Sequence, residues 1–214
     1  ATITCGVCAG SSVIDWSTLA GCEKIDGHLV VQEDWTITSL PAAVQPCPLT
    51  SVDYLTLEYN KSLTSFTLPE LTSISGTLLL DGTTSLVSFS FPKLTTVGGI
   101  IRVKYNAAML SFDLPALASV GETFSMWFNP VLSSFWLPAL TSVGGDLSWW
   151  GNFALPQCLI DALVEQLEAG EGVAGNICFC LSESQWFCCP DVSTTNKPGC
   201  TCSEADGALE ATCN

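Results

Sequence analysis

The sequence predicts a mainly β fold: a right-handed parallel β-solenoid of ~23-residue coils, with a C-terminal capping helix and a disulfide-rich tail. Three observations predict it. Pro69, Pro92, Pro115 and Pro138 stand 23 residues apart, and the text around them recurs as SFTLPELTSISG, SFSFPKLTTVGG, SFDLPALASVGE and SFWLPALTSVGG. Inside each unit the apolar period is two, which marks short half-buried strands between turns. Of 12 cysteines, seven fall from Cys178 onward, where neither period continues. One unit cannot bury its own apolar face, whereas stacked units form a continuous core.

In chain order, Cys5 and Cys8 belong to an opening strand, and Ser17–Cys22 reads as a short N-terminal cap. Degenerate coils occupy Cys22–Leu40 and Pro48–Phe66. Full coils follow at Thr67–Phe89, Ser90–Phe112 and Asp113–Phe135, and a fourth begins at Trp136. A first strand turns Leu55/Leu57, Leu78/Leu80, Ile101/Val103, Phe124/Met126 and Leu147/Trp149 inward. A second carries Phe66, Phe89, Phe112 and Phe135, followed by Leu68, Phe91, Leu114 and Leu137. A third corner holds Leu71/Ile74, Leu94/Val97, Leu117/Val120 and Leu140/Val143, so three apolar edges per coil face one axis. Asn60, Asn106, Asn129 and Asn152 recur after the first strand, where an amide can bond the backbone of a turn. Pro156–Ala169 places Leu159, Leu163 and Leu167 on one helical stripe, with Pro156 at the first position and Gly170 just past the end. The expected division is a solenoid over 1–177, including the capping helix 156–169, and a cysteine-rich extension over 178–214.

Composition excludes several functions. Six Lys+Arg against 21 Asp+Glu give a net charge of −15, leaving no basic face for phosphate. Neither nucleic acid nor an anionic membrane surface is therefore an expected partner. No stretch approaches the roughly 18 to 20 apolar residues that span a bilayer, so no membrane insertion is expected. The start at Ala1, without a charged or apolar leader, is what removal of a signal peptide leaves. An even, dense set of cysteines belongs where thiols oxidise. Cys5, Cys8, Cys22, Cys47, Cys158, Cys178, Cys180, Cys188, Cys189, Cys200, Cys202 and Cys213 are accordingly expected in disulfides, in an extracellular or cell-surface protein. Cys178-x-Cys180 and Cys200-x-Cys202 imitate zinc spacing, but zinc takes thiolates. No metal or cofactor is expected. Catalysis lacks its groups: His28 is the one possible imidazole base, and no G-x-S-x-G, P-loop or H-E-x-x-H occurs. Asp53, Glu58, Asp81, Asp113 and Asp146 fall in several registers rather than as a carboxylate pair. The chain is expected not to be an enzyme.

The opening CGVCAGSSVIDWSTLAGCEKIDGHLVV resembles the start of the receptor L domain, the leucine-rich lobe of insulin- and epidermal-growth-factor-type receptors. Leu19, Cys22, Ile25, Gly27 and Leu29 match its Leu-x-x-Cys-x-x-Ile-x-Gly-x-Leu phrase. The LPxLTSVGG coils are similar to secreted microbial relatives in fungal cell walls and on bacterial surfaces, and LPQC resembles the opening of the bacterial closing cap. The likeness covers residues 5–178. It implies a leucine-rich-repeat surface solenoid, a bond from Cys5 or Cys8 to Cys22, and one from Cys158 to Cys178. The CFC, CC and CTC tail departs from the family pattern.

The outward faces bear most on function. Gln32, Glu58, Asp81, Lys104, Trp127 and Trp150 form one outward column, with Tyr59, Tyr105 and Phe128 beside it. Tyr105, Trp127, Phe128 and Trp150 thus gather near one another, with Trp136 nearby, as a candidate interface. Burial under the cysteine-rich tail is the alternative. Thr72/Ser73, Thr95/Thr96, Ala118/Ser119 and Thr141/Ser142 rank hydroxyls on the third face as ice-binding surfaces do, although such residues also suit turn edges. Asn60-Lys61-Ser62 is the one N-x-S/T sequon and a candidate glycosylation site. The expected function is a non-catalytic, self-assembling surface, filament or wall component whose partner is itself, as homo-oligomer or polymer. The alternatives are a monomeric recognition or adhesion module for an extracellular protein or glycan, and an ice-binding protein.

Overall fold

The computed structural model describes residues 6–9, 22–32, 49–175, 177–180, 200–205 and 208–213. The expected cap over 17–21, and Cys5, Cys47, Cys188 and Cys189, lie outside them. Strands β1 (Gly6–Ala9), β2 (Cys22–Gln32) and β3 (Ser51–Glu58) begin the fold, followed by β4 (Ser65–Thr67). Three coils then repeat a two-, four- and three-residue strand: β5 (Ser73–Ile74), β6 (Leu78–Asp81) and β7 (Ser88–Ser90); β8 (Thr96–Val97), β9 (Ile101–Lys104) and β10 (Ser111–Asp113); β11 (Ser119–Val120), β12 (Phe124–Trp127) and β13 (Ser134–Trp136). After β14 (Ser142–Val143) and β15 (Leu147–Trp150) come helix α1 (Gln157–Ala169), β16 (Gly172–Val173), β17 (Ile177–Cys180), β18 (Cys200–Ala205) and β19 (Ala208–Cys213).

All solenoid pairings are parallel, and each full coil pairs with the next at a 23-residue offset: Leu55, Leu78, Ile101, Phe124 and Leu147 stand in one row. The chain is a parallel β-solenoid of about five turns. β3 is long enough to turn a corner, pairing with β5 at its start and β6 at its end, which joins two sides into one 13-stranded sheet. The third side is the four-stranded sheet β13-β10-β7-β4.

The core lies on the axis and follows the period. Leu55, Leu57, Leu78, Leu80, Ile101, Val103, Phe124, Met126, Leu147 and Trp149 are all buried, as the alternation requires. Phe89 stacks on Phe112 with ring centroids 5.2 Å apart, and Phe112 on Phe135 at 5.8 Å. Glycine marks the tightest corner. A Cβ at Gly98, Gly121 or Gly144 would overlap the carbonyl oxygen of Ser75, Gly98 or Gly121, one coil earlier, so no other residue fits without moving the backbone.

The asparagines do more than close turns. Asn60 behaves as expected: its Oδ1 accepts from the amides of Ser62 and Leu63 in its own turn. Asn106, Asn129 and Asn152 instead bond across coils. Asn129 Oδ1 accepts from the Asn106 backbone amide at 3.1 Å and from its side-chain amide at 3.2 Å, while Asn129 Nδ2 donates to Val103 O at 3.1 Å. Asn152 repeats this one coil on. All are fully buried, so each bond satisfies a group that water cannot reach.

Helix α1 refines the expected cap. Pro156, with ψ 134, is the N-cap rather than the first helical residue, and the helix runs Gln157–Ala169. Leu159, Ile160, Leu163, Val164 and Leu167 are buried. The helix stands where the next strand of the four-stranded sheet would be, and Gln166 Nε2 donates to Leu137 O and Leu140 O of the preceding coil. The other two sides continue past it: β16 pairs with β14, and β17 pairs with β15 as far as Cys180, carrying the sheet across the expected boundary at 177. β18 and β19 form an antiparallel hairpin against α1.

Phe112→Ala, which removes the centre of the ring stack, should cost about 3 to 5 kcal/mol in denaturant unfolding. A loss under about 1 kcal/mol would contradict the inward placement. Asn129→Ala strands the Asn106 amide and Val103 carbonyl in the core and should cost about 3 kcal/mol or more by the same measurement.

Candidate functional site

The outward column predicted on the first strand is the one observed: Gln32, Glu58, Asp81, Lys104, Trp127 and Trp150 pair in register from coil to coil, and Trp150 continues to Cys180. Asp81 and Lys104 join at 3.0 Å.

The residue after each of these strands turns the corner in the left-handed region. Tyr59, Gly82, Tyr105, Phe128 and Gly151 have φ of 54, 65, 58, 53 and 73°. Glycine takes that conformation freely, whereas other L-residues incur about 1 to 2 kcal/mol. The ladder enforces it: the amides of Tyr59, Gly82, Tyr105 and Phe128 donate to Asp81 O, Lys104 O, Trp127 O and Trp150 O. Here three aromatics sit where glycine serves two neighbouring coils. Tyr59 and Tyr105 are 52% and 51% exposed. The Tyr59 ring leans over Gly82 and the Phe128 ring over Gly151, using the space a Cβ would fill. The strain at Tyr59, Tyr105 and Phe128 was not foreseen from sequence; the signal was Gly82 and Gly151 in the same 23-residue register.

Four predicted interface residues come together. Tyr105 stacks on Phe128 (5.3 Å, 6°), Phe128 meets Trp150 (4.9 Å), and Trp150 meets Trp127 (5.5 Å). Trp127 Nε1 donates to Ser148 O at 3.1 Å, and the Arg102 guanidinium lies 5.6 Å from the Trp127 ring centre. Lys104 Nζ lies 5.6 Å from the Tyr105 ring. Trp136 does not join them. It is 38% exposed but ends β13 in the four-stranded sheet, a different side of the coil. The sequence showed that Trp136 points outward, not that its side differs.

Two further expectations change. Asn60 is fully buried with its amide engaged in the corner, so the folded chain has no room for a glycan at this sequon. On the third side, the hydroxyls of Thr50, Thr72, Thr95 and Thr141 donate to Glu23 O, Thr50 O, Thr72 O and Ala118 O of the coil before. Their recurrence is thus accounted for by coil-to-coil bonding.

His28, exposed, stacks on Tyr54 at 4.4 Å, and the Tyr54 ring covers Gly76. Beside them Asp53 accepts from Ser75 Oγ and the Gly27 amide, both at 2.7 Å. The Ser75 hydroxyl above all, then the Gly27 amide and the charges of Lys24 and His28, hold this carboxyl below its ordinary value. Asp53 is thus a carboxylate acceptor tying its own coil to those before and after it. Among the described residues no group of three His, Cys, Asp or Glu side chains could hold a metal ion, and no helix is long and apolar enough to cross a membrane.

No family model, curated protein or solved structure matches the chain. What the site defines on its own is a class: a solenoid bearing a one-sided, partly strained aromatic face.

Tyr105→Gly should shift unfolding by less than about 1 kcal/mol, because relief of the left-handed strain offsets the lost stack and the added chain entropy. A loss above about 3 kcal/mol would make the ring structural rather than a surface group.

Proposed function

We propose that this chain is a non-catalytic extracellular structural protein, a surface, filament or wall component that assembles with itself through the aromatic face. The observation that carries the reading is the corner column. Gly82 and Gly151 turn the same corner without strain, yet Tyr59, Tyr105 and Phe128 are held there with two rings more than half exposed. Residues held in strained backbone cluster at functional sites. The extracellular setting draws on the 12 cysteines, with Cys22 disulfide-bonded. The receptor L-domain likeness of the opening phrase supports the same setting, as does the sparse charge of 13%.

Light scattering and negative-stain imaging of the non-reduced protein over a concentration series test this. The wild type is expected to form oligomers, filaments or sheets, and the doubly substituted Tyr59→Gly/Tyr105→Gly protein to stay folded and monomeric. A wild type of 22.7 kDa at every concentration overturns assembly and favours a recognition module.

A further inference from the structure

Resting on the self-assembly reading, we infer that the occupant of the aromatic face is a second copy of this chain, laid against it turned end for end. Tyr59 of each copy meets Tyr105 of the other, and Glu58 of each meets Arg102 of the other. The constraint is electrostatic. Copies carrying −15 repel one another, so a stable contact needs cations within it. Lys24 and Lys93 are spent on Asp26 and Glu70 of their own chain, away from this face, and Lys104, on the face, is paired with Asp81. Arg102, the one arginine of the sequence, is different. Its guanidinium rests by the Trp127 ring, its Nε is buried with no hydrogen-bond partner, and among the described residues it holds no carboxylate. A guanidinium with no carboxylate of its own among the described residues is the cation this face can offer to a carboxylate from outside.

The pattern along the face is self-complementary. Glu58, Asp81 and Lys104 occupy successive coils, with Arg102 two residues before Lys104 on the same outward side. Charge therefore runs from negative to positive over two coil spacings, about 10 Å. A two-fold axis along the strand of the Asp81 coil exchanges the Glu58 coil with the Lys104 coil, which is the reciprocal contact an isologous dimer requires. The same rotation exchanges Tyr59 with Tyr105 and leaves Gly82, with no side chain, at the axis. Asp81 also lies there, but it is 7% exposed and bonded to Lys104, so no pair of bare carboxylates meets.

Charge exchange followed by sedimentation velocity tests the pairing. Arg102→Glu and Glu58→Arg should each weaken dimerisation by about tenfold or more at low salt, and the double exchange should bring it back to near the wild-type value. Thermal melts of all three keep folding and association apart. If the wild type associates but the single exchanges leave it unchanged, or the double exchange fails to restore it, this pairing is wrong while assembly stands. If the wild type never associates, both fall. Loss of binding to an acidic polysaccharide on Arg102→Glu, in a monomeric protein, would assign the face to a glycan instead.

Discussion

Coil-to-coil satisfaction of buried polar groups is the constraint on which this structure depends. A single coil encloses too little volume to bury its apolar edges and leaves every strand amide directed at a neighbour. The asparagine ladder adds to this inside the corner, where Asn106, Asn129 and Asn152 each supply an acceptor to a backbone amide and a donor to a backbone carbonyl of the coil before. The bonds close only when successive coils lie in register. Burial, register and the 23-residue period are thus one condition, and the glycines at 98, 121 and 144 allow the backbones to approach closely enough to meet it.

The outer surface follows from the same condition with less freedom than it first shows. Once the ladder holds the amides of Tyr59, Tyr105 and Phe128, their backbone must turn left-handed, and the side chains are thrown out at one fixed spacing. Where glycine takes the turn, the neighbouring ring lies down over it. The face is thus a rigid arrangement of rings and charges whose spacing is inherited from the core.

Much of this was legible from residue order. Pro69, Pro92, Pro115 and Pro138 set the period, the phenylalanines mark one side, and the alternation in LLLD or IRVK shows which residues point inward. The outward column from Glu58 to Trp150 followed directly, and the helix was placed to within one residue. What escaped depends on proximity between coils. Asn129 looks like any turn asparagine until the distance to Asn106 is known, and Asn60 looks like an accessible sequon until its corner is seen closed. Tyr105 and Phe128 gave no sign of left-handed backbone, because aromatics seldom adopt it. Trp136 was misgrouped because alternation tells inside from outside without telling one side of a triangular coil from another.

One irregularity in the ladder changes how two neighbouring coils are joined. At the position occupied by asparagine in four coils, the coil between those of Asn60 and Asn106 has Thr83, fully buried, whose hydroxyl has no hydrogen-bond partner among the described residues. Threonine has no side-chain amide to pass the chain of bonds on, so the ladder that begins at Asn152 ends at the Thr83 backbone amide. Between the coils of Asn60 and Thr83 the side-chain bonds lie at the rim instead, where Ser75 Oγ donates to Asp53 and Ser85 Oγ donates to Lys61 O. The stitching of the solenoid thus passes from a buried thread to a solvent-facing one partway along its axis.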